Sequence, residues 1–256
     1  MRFEEYSGQY SNIAMRREDG ILEVRLHTLE DSFQWSLKAQ AELLSAFREI
    51  SADTENRIVI LAGTGSDFSG PRTDPNNSVY SQAGMTPTAA TLYQTHRNAR
   101  QLYAAILSIE VPMIAAINGP VKRHGELALM CDIVIGAQQM TLEDTAHFDL
   151  GSHVPGDGIN IILTLLMGLN RARYMMLMGQ VLTSQQCLEI GLVSELVDST
   201  QLQARAWEIA RTLAKKPDLL LRYTRITLIH PLKKLIDEGL GYFLSMEALT
   251  TIDANH

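Results

Sequence analysis

Ile109-Glu110-Val111-Pro112-Met113-Ile114-Ala115-Ala116-Ile117-Asn118-Gly119-Pro120-Val121 decides how this chain folds. From Val111 to Asn118 the apolar residues are almost continuous rather than alternating, and the Asn-Gly-Pro turn closes the run, so it reads as a strand buried on both faces. Downstream lie a short helix near Gly125–Met130 and a second strand, Asp132–Gly136. Upstream, Arg57–Ala62 is another short β-branched strand, and a helix fills the interval that ends near Ile109. Farther back, Asn12–Arg17 and Ile21–His27 flank Asp19-Gly20 as two strands around a tight turn. Between them and Arg57, Leu43, Leu44, Phe47 and Ile50 recur at helical spacing within Trp35–Ser51. The interval from Gly63 to about Thr88 is rich in Gly, Ser, Pro, Asn and Thr and reads as a long loop. After about Gly158 the pattern is helical apart from a strand at Leu192–Val197. Strands alternating with helices predict an α/β fold, a largely parallel sheet with helices outside. The helices from about Thr200 predict a C-terminal helical subdomain, 200–256, following a core over 1–199.

Bulk properties narrow the function. The chain has 256 residues, 46% hydrophobic and 20% charged, with a formal net charge of −7. A chain with that acidic balance has no basic stripe for phosphates, which argues against a nucleic-acid partner. The two cysteines, Cys131 and Cys187, sit among apolar neighbours and read as buried, reduced thiols rather than a disulfide or metal site. The N-terminus shows no basic, apolar leader, and no stretch approaches the roughly 18 apolar residues of a membrane span. A cytoplasmic protein without a membrane partner is expected. No internal repeat or low-complexity tract interrupts the chain.

Four blocks carry a resemblance. The quoted stretch, Leu127-Ala128-Leu129-Met130-Cys131-Asp132-Ile133-Val134-Ile135, then Val154-Pro155-Gly156-Asp157-Gly158 and Gly191-Leu192-Val193-Ser194-Glu195-Leu196-Val197 resemble, in order and spacing, the crotonase (enoyl-CoA hydratase/isomerase) superfamily. The resemblance implies a crotonase-type spiral of ββα units with a C-terminal helical trimerisation subdomain, hence a homotrimer or a dimer of trimers.

Departures from that pattern redirect the chemistry. Crotonases carry consecutive glycines after the Asn-Gly block, where this chain has Lys122-Arg123-His124-Gly125. In the loop supplying the other oxyanion donor, Phe68-Ser69-Gly70-Pro71-Arg72-Thr73, Pro71 replaces the usual glycine, leaving the Arg72 N–H as the surviving donor. The hydratase pair of glutamates is also incomplete. Glu126 stands six residues before Asp132, but the position fourteen after Asp132 is Ala146. Paired acid and base work needs both carboxylates.

Beside Ala146 stands His147, with Asp157 ten residues on, a histidine–aspartate pairing suited to a general base. With His124, Asp144-Thr145-Ala146-His147-Phe148, Val154-Pro155-Gly156-Asp157-Gly158, Arg205–Lys216 before Pro217 and Met246-Glu247-Ala248-Leu249, the closer similarity is to the 6-oxocamphor hydrolase branch. That resemblance implies hydrolysis of a β-diketone by retro-Claisen cleavage to a keto acid, with no cofactor and no metal. It makes His147 the base, Asp157 its orienting partner, His124 the group on a substrate carbonyl or enolate, and Glu247 a support from the C-terminal helices. Trp35 would line the substrate wall, with Gln40 where the branch has a further histidine and Arg72 completing the substrate-binding set.

Each assignment has a plainer counterpart. His147 could be a core histidine on a carbonyl, Asp157 a turn residue, His124 a solvated loop residue, and Glu247 a surface carboxylate. Glu126 reads better as a helix N-terminal carboxylate than as catalytic. Trp35 packs under either reading, the methionines read as core or trimer packing, and His27, His96, His153 and His230 receive no role. The competing functions are a CoA-thioester isomerase, hydratase or decarboxylase of the same fold, and a non-catalytic crotonase-like oligomer.

Overall fold

A computed structural model describes residues 2–72, 74, 80, 83–151 and 153–254. The turn α1 (Phe3–Tyr6) precedes the hairpin β1 (Ile13–Glu18) and β2 (Ile21–Leu26). Then follow α2 (Leu37–Ala52), β3 (Ile58–Ala62), α3 (Ala89–Ile106), β4 (Met113–Ile117), α4 (Glu126–Leu129) and β5 (Ile133–Ala137). β6 (Thr141–Leu142), α5 (Ile159–Met167), α6 (Leu169–Leu177), β7 (Leu182–Thr183), α7 (Ser184–Glu189) and β8 (Glu195–Val197) lead to α8 (Leu202–Leu213) and α9 (Asp218–Asp253).

The main sheet has six strands in the order β1-β2-β3-β4-β5-β8, parallel except for the β1–β2 hairpin. In register, Leu61 faces Ala115 and Ala115 faces Val134. The continuous apolar run in β4 has a two-sided cause. Met113, Ala115 and Ile117 pack with Leu43, Phe47, Leu102 and Ile106 of α2 and α3. Ile114 and Ala116 point the other way, toward Leu202, Ala206, Trp207 and Ala210 of α8. Burying each such Ile or Leu side chain contributes about 1.5–3 kcal/mol, so neither face tolerates a polar residue easily.

A second, sparser ladder steps beside the sheet, with parallel bridges linking Gln34 to Gly70, Ser69 to Val121, and Val121 to Leu142. Each turn of chain thus adds one strand to the sheet and one rung to the ladder, which is the expected spiral. The strand foreseen at Leu192–Val197 is confined to Glu195–Val197, because Leu192 and Val193 instead hydrogen-bond back to Cys187 at the end of α7. The closing segment is two helices, the second 36 residues long and continuous through Pro231. Its fully buried Arg225 donates to the Ile109 carbonyl at 2.6 Å and pairs with Asp132, whose carboxylate also accepts the Met113 N–H at 2.7 Å. That anchor fixes α9 to the edge of β4, while α9 also packs on α3 and α5. Cys131 and Cys187 are buried and unpaired. Among the described residues no helix is long and apolar enough to cross a membrane.

Candidate active site

Between α2, α3, the loops after β4 and β6, and the last turns of α9 lies a cavity of about 260 Å³. Larger grooves open elsewhere, one of about 560 Å³ beside His230 and Lys233 and one of about 410 Å³ beside Tyr174 and Gln186. Neither gathers the buried ionisable groups that fill the smaller cavity, and those groups make it the candidate site.

Three glycine-dependent or strained backbone features build it. At Gly156 a Cβ would meet the Phe243 carbonyl oxygen at 2.3 Å, so only glycine lets this loop press against α9. Gly158, at φ +108°, similarly has the Tyr103 ring 2.7 Å from where its Cβ would be. Asp157, held between them, is thereby pushed into the cavity. On the opposite wall His124 adopts φ +54°, a left-handed conformation uncommon outside glycine. Its loop is pinned by the Lys122 N–H on the Ser69 carbonyl at 2.9 Å and by the Ser69 hydroxyl on the Arg123 carbonyl at 2.5 Å.

His147 and His124 meet across Asp157. Nδ1 of His147 lies 2.7 Å from Asp144 Oδ1, and its Nε2 lies 3.4 Å from Asp157 Oδ2. The same Asp157 oxygen is 3.5 Å from Nδ1 of His124, which shares a proton with Glu126 Oε1 across 2.7 Å. The Trp35 ring stacks on His124 with centroids 3.5 Å apart and planes tilted by 31°. His153 presents an edge to His147 at 5.2 Å and is fixed by Nδ1 on the Gly151 carbonyl at 2.6 Å.

Burial and charge shift these groups in opposing directions. Burial alone would lower the His147 pKa, but the charges and hydrogen bonds of Asp144 and Asp157 outweigh it and hold the pKa well above the ordinary value. For Asp157 burial pulls upward, yet the charge of His147 and its hydrogen bond, then His124, bring it well below the usual range. Burial first, then the Asp157 charge, pushes Glu247 up to about 8. Burial also raises Glu126, opposed by His124 and reinforced by Asp157. Desolvation followed by the charge of His147 lowers His153 to about 4. The Tyr103 hydroxyl is buried without a hydrogen-bond partner, and burial, then Glu126, raises its pKa well above 10.0.

Of the residues singled out from sequence, Trp35, Gln40, His124, His147, Asp157 and Glu247 all line the cavity, as does Ala146 at the position of the missing glutamate. Arg72 does not line it. Its guanidinium instead pairs with Glu143 at 3.2 Å and is half exposed. The partner tightly bound to His147 is Asp144, whereas Asp157 bridges two histidines. Glu126 stands at the first position of α4, as the helix N-terminal reading has it, and is buried against His124. His153, His96, Arg123 and Asp144 also belong to the site. Asp144 had a signal, since it stands three residues before His147 in the quoted string. His96 and His153 had none, because nothing in their spacing along the chain marks the cavity they line.

A parallel sheet wound as a spiral around a buried histidine–carboxylate cluster defines an α/β enzyme of the crotonase type. The enoyl-CoA hydratase/isomerase family profile matches residues 16–240, and the chain belongs to that family. Among curated relatives, a probable peroxisomal enoyl-CoA hydratase of Arabidopsis thaliana is 28% identical over 214 residues, covering 80% of this chain and 72% of the relative. The 1,2-epoxyphenylacetyl-CoA isomerase of Escherichia coli is 28% identical over 201 residues, covering 78% and 75%. More particularly, the fold matches a solved β-diketone hydrolase from the cyanobacterium Anabaena sp. PCC 7120, bound to (S)-3-oxocyclohexyl acetic acid. That match has a TM-score of 0.93 and 38% identity, and covers 98% of each chain.

Proposed function

We propose that this protein hydrolyses a carbon–carbon bond of a β-diketone, yielding a keto acid by retro-Claisen cleavage. The observation that carries the reading is the pairing of His147 with two carboxylates, facing His124 across a cavity in which Ala146 replaces the hydratase glutamate. The similarity to the Anabaena β-diketone hydrolase over nearly the whole chain supports it.

A carboxylate only accepts, so the proton of neutral His147 sits on Nδ1 toward Asp144, and Nε2 is the basic nitrogen. Nε2 takes a proton from water, and the hydroxide attacks one carbonyl of the diketone. Collapse of the tetrahedral adduct breaks the bond to the central carbon, whose electrons pass to the second carbonyl as an enolate. Nδ1 of His124 is engaged by Glu126, and its Nε2 donates to that enolate oxygen when it carries a proton, either in the imidazolium or with a protonated Glu126 carboxyl donating to Nδ1. The imidazolium of His147 then returns the proton to carbon, and no cofactor enters the balance. A cavity of about 260 Å³ suits a compact diketone, being near the lower end of small-molecule sites, roughly 300–1,000 Å³. The exposed apolar residues Leu165, Leu166 and Leu169, with Tyr174 and Leu177, support self-association of this face of α5 and α6 as a trimer or dimer of trimers.

The second reading is CoA-thioester chemistry, favoured by the activities named for the curated relatives and by the retained Glu126. Loss of ultraviolet absorbance from cyclic and acyclic 1,3-diketones separates the two. The expected result is keto-acid product, with kcat/KM rising with pH along a limb above 6.5, since the raised pKa of His147 keeps it protonated below that limb. Turnover of enoyl-CoA thioesters with no diketone consumed would replace this reading by the second.

A further inference from the structure

We propose that His147, His153 and Glu247 form a binding site for a divalent transition-metal ion of the zinc class, which occupies the cavity in place of substrate. The ligating atoms of the three side chains lie within 4.8 Å of one another. Two imidazoles and one carboxylate form a donor set that zinc accepts with a fourth position open to solvent. Tetrahedral zinc at its usual bond lengths needs ligand atoms about 3.3 Å apart, so the three must draw together by roughly 1.5 Å at most.

The two histidine donors are held from behind, as metal ligands commonly are. Asp144 grips Nδ1 of His147, which fixes the ring and leaves Nε2 as the ligating atom. The Gly151 carbonyl grips Nδ1 of His153, which leaves its Nε2 with a free lone pair. Glu247 Oε2 is shielded from solvent and has no hydrogen-bond partner, an orphan acceptor that a cation would satisfy. The surroundings are electron-rich as well. Asp144, Asp157, Glu126 and Glu247 crowd the site, with Arg123 as the permanently charged cation lining the same cavity. Imidazole nitrogens select zinc, cobalt, nickel or copper over magnesium and calcium, which prefer all-oxygen shells.

The metal site itself stands without the diketone reading; only the statement that the ion displaces a diketone rests on it. The test is titration of chelator-treated protein with cobalt(II), followed by visible absorption, and with zinc(II), followed by calorimetry. One ion per chain is expected, with visible bands of tetrahedral cobalt. His153→Ala and Glu247→Gln should each weaken binding at least about tenfold, and His230→Ala should leave it unchanged. Near-ultraviolet circular dichroism confirms that each variant is folded. Failure of the wild type to bind either ion, or binding indifferent to both cavity substitutions, overturns the proposal. Cobalt binding here without any diketone turnover would overturn the functional reading instead and leave the metal site standing. Zinc should also raise the apparent KM for a turned-over diketone without lowering kcat.

Discussion

Two buried glutamates on opposite sides of the molecule differ in their partners. Glu23, in β2 beneath α8, accepts from Trp207 Nε1 at 2.5 Å, Arg25 at 2.6 Å, Arg16 at 2.8 Å and Gln203 at 3.1 Å. Burial would raise its pKa, but these donors together bring it below the ordinary value. Glu247, in the cavity, has an oxygen with no donor and lies among other carboxylates, so burial and repulsion push it to about 8. The difference teaches that burial alone does not mark a working site. A buried charge with a full set of donors holds structure together, and one left short of them is available for chemistry.

Substitutions can break that contrast or sharpen it. The largest effect is expected at His147→Ala, which should lower kcat/KM for a diketone by about 10² to 10⁴ per folded molecule. A variant that stays active would move the chemistry elsewhere in the cavity. Next comes Glu23→Ala, the opposite case. Leaving Trp207 Nε1 without its acceptor should cost about 2 kcal/mol in denaturant unfolding, with turnover per folded molecule retained. An equal loss of activity in that variant would dissolve the distinction.

Glu247→Gln tests the same contrast through pH. A carboxylate whose folded pKa is raised from 4.5 to about 8 contributes stability that is fully present below 4.5 and lost as pH rises through 8. The glutamine variant lacks that loss, so its thermal midpoint should gain on the wild type as pH climbs through this window. Parallel curves would mean that Glu247 stays ionised in the fold. The smallest effect belongs to Arg72→Ala, which removes a half-exposed guanidinium outside the cavity and should change stability by about 1 kcal/mol or less. A large fall in substrate affinity would return Arg72 to the site.

The fold was legible because its signals are local. The unbroken apolar run of β4 and the turn residues around β1 and β2 report burial on both faces and chain reversal without reference to distant residues. The site was legible only in part. His124, His147 and Asp157 stand inside strings that also specify backbone shape, so type and spacing pointed to them together. His96 and His153 reach the cavity only because α3 and the loop after β6 converge there, and no spacing along the chain encodes that meeting. Arg72 was read from sequence for its backbone N–H, a reading that the pairing of its side chain with Glu143 does not touch. Glu126 was legible as the first residue of a helix, but its contact with His124 was not, because the φ +54° bend that brings His124 over it leaves no mark in the spacing.

The left-handed backbone at His124 bears on how such an enzyme could arise. A loop already bent for glycine holds φ +54° without cost, and histidine is among the few side chains that tolerate the same bend. An ancestor with glycine there could therefore have acquired an imidazole over Trp35 while its main chain kept the same path. The new reactivity would have entered by decorating an inherited curve, and a return substitution to glycine would retrace that step in the laboratory.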